Sequence, residues 1–182
     1  FRGSENNVLH RFYDAAIKNN ASIIVRITSD DPFKDVKIID NVIQLLINND
    51  LDFSFNNFPA SFPEGLDVEV MNFESLKKAY LNATSDFEKE HVTQYFFKNK
   101  NSFKMMNLKY EKNYSFLRLT VDCNEDYSLS KKLYKKLKSN LLGFSFEDIL
   151  KIYENDPELF SINKNVKRSE MYKNKKWKEL IN

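Results

Sequence analysis

The sequence predicts an α/β fold whose sheet contains parallel strands. The first observation is a β-turn-α-turn-β order over residues 23–55, in which two short apolar runs flank a helix-like segment. The second is an arrangement that occurs twice, an apolar run that ends in aspartate just before a turn and a helix. The first copy ends in Asp30 and Asp31, and the second ends in Asp122. If the two runs are neighbouring strands, their carboxylates meet at the carboxyl edge of the sheet, where such sheets bind ligands.

Apolar periodicity and turn residues define the elements of the first half. Apolar side chains recur with a 3.6-residue period in two segments, which predicts amphipathic helices, and a serine or aspartate before each supplies an N-cap. A nearly continuous β-branched run predicts a strand covered on both faces. The predicted elements are a helix over Val8–Ile17 capped by Ser4, a strand over Ile23–Ile27, a helix from Asp35 to Asn48 and a strand over Asp52–Phe55.

Alternation, turns and a capping box define the second half. Residues 66–70 alternate between apolar and acidic, so Asp67 and Glu69 are expected on one face of a strand. Ser145 and Asp148 resemble a capping box. The remaining predicted elements are a helix over Phe73–Ala83, a helix over Phe87–Lys98 capped by Ser85, a hairpin with strands over Phe103–Lys109 and Tyr114–Val121, a helix over Asp126–Ser139 and a helix ending at Glu154.

Length and charge bound the class of protein. A chain of 182 residues suffices for one domain, and a net charge of +2 gives no field that indicates nucleic-acid or membrane binding. Because residues 164–182 hold seven Lys or Arg against two Glu, we expect a domain over 1–163 and a basic tail or linker over 164–182. A single cysteine, Cys123, fits a reducing cytoplasm. No apolar run reaches the roughly 18 residues of a membrane span.

Six ordered segments carry a family resemblance. They are GSENNVLHRFYDAA (3–16), VRITSDDPF (25–33), PEGLDVEV (63–70), EHVTQY (90–95), LRLTVDCNED (117–126) and FSFEDIL (144–150). In order and spacing they resemble the cytidylyltransferase-like proteins known as spore coat polysaccharide biosynthesis protein F, which are related to the enzymes that make CMP-sialic acid and CMP-ketodeoxyoctonate. The resemblance implies a nucleotide-diphospho-sugar transferase fold, a Rossmann-like mixed sheet between helices.

The resemblance also implies segments that this sequence lacks. The family opens with a strand and a loop, rich in glycine and basic residues, that holds the nucleotide triphosphate, and both would lie before Phe1. The chain itself has three glycines and no glycine-rich phosphate loop, so residues 1–182 alone are expected to be inactive. Where the family commonly has Thr-Pro after its second aspartate, this chain has Cys123-Asn124.

Asp30 and Asp122 are the predicted catalytic and metal-binding residues. From the residues alone, an aspartate at a strand end more often closes the turn and caps the next helix. Their equivalent positions on two strands, and the match of Asp30 to the aspartate that relatives place beside the nucleotide phosphates, favour a shared Mg²⁺. Asp31 is then expected to be a turn residue or a side chain that supports Asp30.

Five further side chains are predicted to bind substrate. Asp67 and Glu69 are suited to accept hydrogen bonds from sugar hydroxyls, or else lie on the solvent face of an edge strand. Arg26 and Arg118 are suited to hold phosphate or a sugar carboxylate, although pairing with a neighbouring aspartate is the favoured alternative. His91 is expected at the substrate pocket, or as a packed or solvated residue.

The resemblance implies a Mg²⁺-dependent nucleotidyltransferase. It would activate a sugar or sugar acid with CTP, release pyrophosphate and serve surface polysaccharide or glycan biosynthesis in the cytoplasm. Two alternatives stay open: a non-catalytic sugar-nucleotide binding module or part of a multidomain protein, and the same chemistry with another nucleoside triphosphate. The sequence predicts no nucleic-acid partner and leaves a homodimer possible.

Overall fold

Helices cover both faces of a four-stranded mixed sheet. The computed structural model describes residues 2–137 and 143–167. Its elements in chain order are α1 (Val8–Lys18), β1 (Ile23–Arg26), α2 (Val36–Asn48), β2 (Phe53–Phe55), β3 (Glu69–Asn72), α3 (Phe73–Asn82), α4 (Asp86–Glu90), α5 (Gln94–Lys98), a 3-10 helix (Lys100–Ser102), β4 (Met105–Asn107), α6 (Asn124–Leu137), α7 (Phe146–Asn155) and a second 3-10 helix (Pro157–Asn163). Among the described residues, no helix combines the length and apolar character needed to span a membrane.

The sheet mixes parallel and antiparallel pairing. Its strand order is β1-β3-β2-β4, and β3 runs antiparallel to both neighbours whereas β2 and β4 are parallel. The mixed sheet implied by the family resemblance is therefore confirmed. The strand β1 was predicted to be covered on both faces, but it lies at an edge of the described sheet and three of its four residues are only partly buried. Ile24 is accordingly the one side chain of β1 in the buried class.

Alternating side chains along the strands build one core on each face of the sheet. On one face, Val70 of β3 belongs to a core with α2, α6 and α7. On the other face, Phe53 and Met71 belong to a core with α1, α3 and α5. Phe53 is completely buried and stacks on Phe96 of α5, with ring centroids 4.7 Å apart. Burying a side chain of this size stabilises the fold by about 1.5–3 kcal/mol, so both faces of the sheet are firmly held.

Two strand predictions are wrong. The strand predicted over residues 66–70 is found at Glu69–Asn72, so Asp67 precedes it. The predicted hairpin does not form, because Met105–Asn107 pairs in parallel with β2 and residues 114–121 lie outside the four-stranded sheet. The second segment instead makes a parallel bridge between Arg118 and Glu64. A short apolar run indicates extended structure without identifying its partner.

The helix predicted over residues 87–98 is two short helices. Ser85 caps the first of them, as predicted, and it forms a capping box with Glu88. Val92 then adopts a left-handed φ of 54°, which a β-branched residue rarely adopts and which a helix cannot contain. The Glu88 carboxylate reaches across the break and accepts a hydrogen bond from Lys98 Nζ at 2.9 Å. This contact fastens the two helices on either side of residues 91–93.

Asp35 caps two helices. One of its oxygens accepts the first backbone N–H groups of α2, as predicted. The other accepts the N–H of Phe146 at the start of α7, at 2.6 Å. The predicted capping box at Ser145 is also confirmed. Helix α1, however, is capped by Asn7 rather than by Ser4, because the Asn7 side chain accepts the His10 N–H.

The structure describes only part of the C-terminal region for which predictions were made. The 3-10 helix Pro157–Asn163 was not predicted, and it packs against α6 and α7. Ser139, the predicted end of the helix that begins at Asp126, and residues 168–182 of the predicted basic tail lie outside the described residues.

Candidate active site

A cleft of about 250 Å³ lies beside the carboxyl end of β1. Six of the seven side chains predicted as site residues line it, and they come from separate segments of the chain. Its lining consists of Arg26, Ile27, Thr28, Asp30, Asp31, Asn57, Glu64, Asp67, Glu69, His91, Thr93, Gln94, Thr120 and Asp122. The seventh predicted residue, Arg118, lies behind the cleft wall, where its side chain is 7% exposed and contacts Glu64 and Asp122.

Asp30 and Asp122 line the same cleft through a backbone contact. The N–H of Val121 donates to the carbonyl oxygen of Asp30 at 2.9 Å, and the hydroxyl of Thr120 lies 3.4 Å from the same oxygen. The two carboxylates therefore lie at one cleft, as predicted. The prediction that their segments are neighbouring strands of one sheet is wrong, because only the first segment is a strand of the four-stranded sheet.

Gly65 allows the segment before Asp122 to approach closely. Its neighbour Glu64 accepts the N–H of Leu119 at 2.7 Å. Gly65 has a φ of +103°, and a Cβ there would lie 2.6 Å from the nitrogen of Thr120 and 2.7 Å from the carbonyl carbon of Leu119. No other residue type fits this backbone and this distance without strain. The glycine therefore helps to set the position of the segment that ends in Asp122.

Asp30 and Asp122 present carboxylates of the kind that Mg²⁺ binds. Asp30 is exposed, and its carboxylate makes no hydrogen bond or ion pair with any residue that the structure describes. The Asp122 side chain is 49% exposed. Across residues 2–137 and 143–167, no three His, Cys, Asp or Glu side chains are grouped to hold a metal unaided. Mg²⁺ in nucleotide sites commonly takes one or two carboxylates together with phosphate oxygens and water, so this pair suits an ion that binds with a nucleotide.

Arg118 is surrounded by carboxylates. Its Nη1 contacts Glu64 Oε2 at 2.6 Å, its Nε lies 3.0 Å from Asp126 Oδ1, and its Nη2 contacts both Asp122 and Asp126. Burial alone would lower the pKa of Arg118, but these carboxylates raise its pKa above the ordinary value. The geometry matches the favoured alternative, pairing with protein carboxylates. The predicted role of Arg118 in binding substrate stays a prediction.

Asp126 was missed as a site residue in the sequence. It is completely buried and accepts hydrogen bonds from Arg118, from Asn163 Nδ2 at 2.8 Å and from the Asp122 N–H at 3.1 Å. Burial would raise the pKa of Asp126, but these hydrogen bonds outweigh it and hold the pKa below its usual value. In the sequence, Asp126 is one of two acidic residues that begin a helix, and nothing distinguishes it from an ordinary first-turn residue.

Glu69 holds Arg26 at the other side of the cleft. Its side chain is 5% exposed, and its Oε2 accepts a bond from Arg26 Nη1 at 2.6 Å. Its Oε1 accepts bonds from Thr93 Oγ1 at 2.9 Å and from Asn57 Nδ2 at 3.3 Å. Both carboxylate oxygens of Glu69 are thus already engaged by protein donors. Arg26, 24% exposed, presents the remainder of its guanidinium toward the cleft.

Asp31 and Asp67 are connected through Lys34. The Asp31 carboxylate is paired with Lys34 Nζ at 2.8 Å and accepts a bond from Thr28 Oγ1 at 2.7 Å. Lys34 Nζ also donates to the backbone carbonyl of Asp67. Asp31 therefore closes the turn after β1, in agreement with its expected role as a turn residue. Asp67 is fixed beside that turn and lines the cleft.

His91 faces the cleft at the break between α4 and α5. Burial, which exceeds the opposing effect of Glu90, and the nearby charge of Arg26 lower the pKa of His91 below its ordinary value. Its ring contacts that of Phe87 edge to face, with centroids 4.6 Å apart. His91 is therefore neutral at pH 7, when it can accept a hydrogen bond or a proton.

Carboxylates outnumber cations on the cleft lining. Six of the lining side chains are Asp or Glu, whereas Arg26 is the one Arg or Lys among the described residues that line it. A nucleoside triphosphate is an anion, so this surface repels it unless cations accompany it. The charge pattern therefore favours an acceptor with donor groups, or a phosphate chain bound together with a metal ion.

Comparisons with known proteins identify similar sequences. The model of the family described as Cytidylyltransferase matches residues 1–171. An uncharacterized protein of Methanocaldococcus jannaschii is 36% identical over 172 residues, which are 92% of this chain and 68% of that protein. The spore coat polysaccharide biosynthesis protein SpsF of Bacillus subtilis is 33% identical over 139 residues, which are 75% of this chain and 57% of that protein.

A solved structure extends the comparison to the fold. The structure of a cytidylyltransferase from Leptospira borgpetersenii matches with a TM-score of 0.82 and 32% identity, covering 93% of this chain and 70% of that one. The Rossmann-like mixed sheet expected from the family resemblance is therefore confirmed. The chain spans less than three quarters of each protein that it matches.

Proposed function

The chain belongs to the cytidylyltransferase family, and from that premise we propose that it takes part in transferring CMP from CTP to a sugar or sugar acid. The acceptor oxygen would bond to the α-phosphorus, and the bond to the β-phosphate would break to release pyrophosphate. The observation that carries the proposal is that Asp30 and Asp122, which lie 92 residues apart in sequence, line one acidic cleft. We place this reaction in surface polysaccharide or glycan biosynthesis in the cytoplasm.

Asp30 and Asp122 would hold Mg²⁺ at the phosphates. Bound there, the ion would neutralise charge on the phosphate oxygens and orient the leaving group. The protein contributes two exposed carboxylates whose backbone positions are fixed by the contact between Val121 and Asp30. A fixed pair lowers the free-energy barrier because no reorganisation of the ligands is needed during the reaction.

The opposite side of the cleft would receive the acceptor. Arg26, held by Glu69, would pair with a carboxylate or phosphate of the acceptor, because one nitrogen is already fixed and the rest of the group lines the cleft. Asp67 would accept hydrogen bonds from hydroxyls. His91, neutral at pH 7, would accept a hydrogen bond from the acceptor. A guanidinium that lines the cleft suits a sugar acid better than an uncharged sugar.

Pyrophosphate release from the full-length protein tests the proposal. Protein, Mg²⁺, each of the four nucleoside triphosphates and a panel of acidic and neutral sugars would be combined, and we expect release with CTP and an acidic sugar. In Asp30→Asn and Asp122→Asn, which keep side-chain size but remove the charge, kcat should fall by about 10²–10³, the usual effect of losing one charge-stabilising group. Asp40→Asn, on the exposed side of α2, is the matched control and should keep the wild-type rate.

Each outcome of this assay decides between the proposed enzyme and its alternatives. Full activity in both aspartate variants would eliminate the metal assignment. Release with UTP, GTP or ATP instead of CTP would keep the chemistry and change the nucleotide. No release with any substrate, together with calorimetric binding of a CMP-sugar, would establish a non-catalytic binding module instead.

A further inference from the structure

We propose that Asp126 and Asn163 are positioning residues that keep Asp122 available to the metal ion, and that they act through Arg118. This inference rests on the proposed function, because it concerns the metal-binding carboxylate of that reaction. It deepens that function by extending the site to the 3-10 helix that follows α7. Neither residue lines the cleft.

Asp126 fixes Asp122 in two ways. Its Oδ2 accepts the backbone N–H of Asp122 at 3.1 Å, which sets the position of the main chain. The same oxygen lies 3.0 Å from Arg118 Nη2, the nitrogen that also contacts the Asp122 carboxylate. The buried carboxylate of Asp126 therefore holds both the main chain of Asp122, directly, and its side chain, through Arg118. A side chain fixed in advance loses less conformational entropy when it takes up its ligand.

Asn163 orients Asp126. It is 3% exposed, and its Nδ2 donates to Asp126 Oδ1 at 2.8 Å and to the backbone carbonyl of Arg118 at 3.1 Å. Oδ1 thus accepts from Asn163 and from Arg118 Nε, and Oδ2 accepts from Arg118 and from the Asp122 N–H. Leaving a buried carboxylate without hydrogen-bond donors costs free energy. This cost favours the arrangement in which Asp126 keeps all of these bonds. Asn163 thus determines the rotation of a carboxylate 37 residues earlier in the chain.

The sharing of Arg118 keeps Asp122 from being neutralised. One guanidinium serves three carboxylates, of which Glu64 and Asp126 are buried and Asp122 is 49% exposed. If Arg118 served Asp122 alone, that ion pair would compete directly with a metal ion. Because the buried carboxylates also attract the guanidinium, Asp122 keeps net negative charge toward the cleft. Supporting contacts of this kind orient metal ligands and tune their affinity.

Mn²⁺ binding tests the inference without relying on turnover. Mn²⁺ replaces Mg²⁺ at oxygen ligands, and its free concentration is measured by electron paramagnetic resonance in the presence of the full-length protein and CTP. Asn163→Leu, which removes both donors at similar size, should raise the dissociation constant for Mn²⁺ at least fivefold. The apparent Mg²⁺ requirement of the reaction should rise in parallel, while the KM for the acceptor changes less than twofold.

A stability control separates positioning from folding. Ser54 is completely buried and donates to the Val42 carbonyl at 2.8 Å, away from the cleft, so Ser54→Ala also removes a buried hydrogen bond. Its Mn²⁺ affinity should stay within twofold of the wild type. Asp126→Asn is the second variant, to be used if circular dichroism shows that Asn163→Leu is unfolded. It too should weaken Mn²⁺ binding at least fivefold, because Arg118 is then left to pair with Asp122.

The failures are distinguishable. Equal weakening in Asn163→Leu and Ser54→Ala would assign Asn163 a merely structural role and overturn the inference. Wild-type Mn²⁺ affinity in a folded Asn163→Leu or Asp126→Asn would overturn it as well and leave the proposed function intact. A wild-type protein that binds no Mn²⁺ with CTP and releases no pyrophosphate would overturn both.

Discussion

Replacing Gly65 by alanine should be more damaging than replacing Gly143, although both glycines have positive φ angles. An alanine at a φ of +103° or +117° is strained, which costs about 1–3 kcal/mol at either position. At Gly65 the added Cβ would also lie 2.6 Å from the backbone nitrogen of Thr120, whereas at Gly143 it would meet no described atom within 4 Å. Overlap with backbone that cannot rotate away adds about 1–3 kcal/mol.

Thermal unfolding of the two variants measures the difference. In a chain of this size, 1 kcal/mol shifts the Tm by about 2–4 °C, so Gly65→Ala should melt roughly 2–12 °C below Gly143→Ala. The strain term is common to both variants, and the comparison therefore isolates the close approach of residues 64–65 to residues 119–120. Equal Tm values would refute the reasoning, because they would mean that the two segments separate freely to admit a methyl group.

Two further predictions concern titratable groups. Burial would raise the pKa of Glu88, but hydrogen bonds from Lys98 and Ser85 outweigh it and lower the pKa from 4.5 to about 2, so Glu88 contributes about 3 kcal/mol above pH 4.5 that is lost as the pH falls toward 2. Urea unfolding at pH 7 and pH 3 should show this loss in the wild type and not in Glu88→Gln; an equal loss in both would contradict it. The His91 pKa is lowered by burial, so His91 favours folding above pH 6.5 and opposes it below. An NMR titration, assigned with His91→Gln, should give a midpoint below 6.5, and a midpoint at or above that value would contradict the lowering by burial.

Local signals in the sequence predicted most of the helices. Asp35 and the Ser145 capping box are side-chain-to-backbone contacts within three residues, so the pattern and the structure coincide there. The break at Val92 was not predictable in this way, because a β-branched residue gives no local indication of a positive φ. It is the surrounding contacts, including the bond between Glu88 and Lys98, that hold the chain in this conformation.

Pairing between segments that lie far apart in the chain could not be predicted from local patterns. The sequence indicated that residues 103–109 and 114–121 are extended, but not that the first pairs with β2 and the second bridges to Glu64. For the site, the sequence predicted Asp30 and Asp122 together because each follows an apolar run. It missed Asp126 and Asn163, since a buried aspartate in a first helical turn and an asparagine in a polar segment have no distinctive pattern.

The double cap at Asp35 has a consequence for how the protein is made. Asp35 starts α2, yet one of its oxygens is reserved for an N–H 111 residues further along. On the ribosome, Asp35 leaves the exit tunnel well before Phe146 has been added, so the nascent chain carries a carboxylate that lacks one of its three donors and a sheet face that α7 has not yet covered. Completion of that face must therefore wait until the residues of α7 have been synthesised and have left the tunnel.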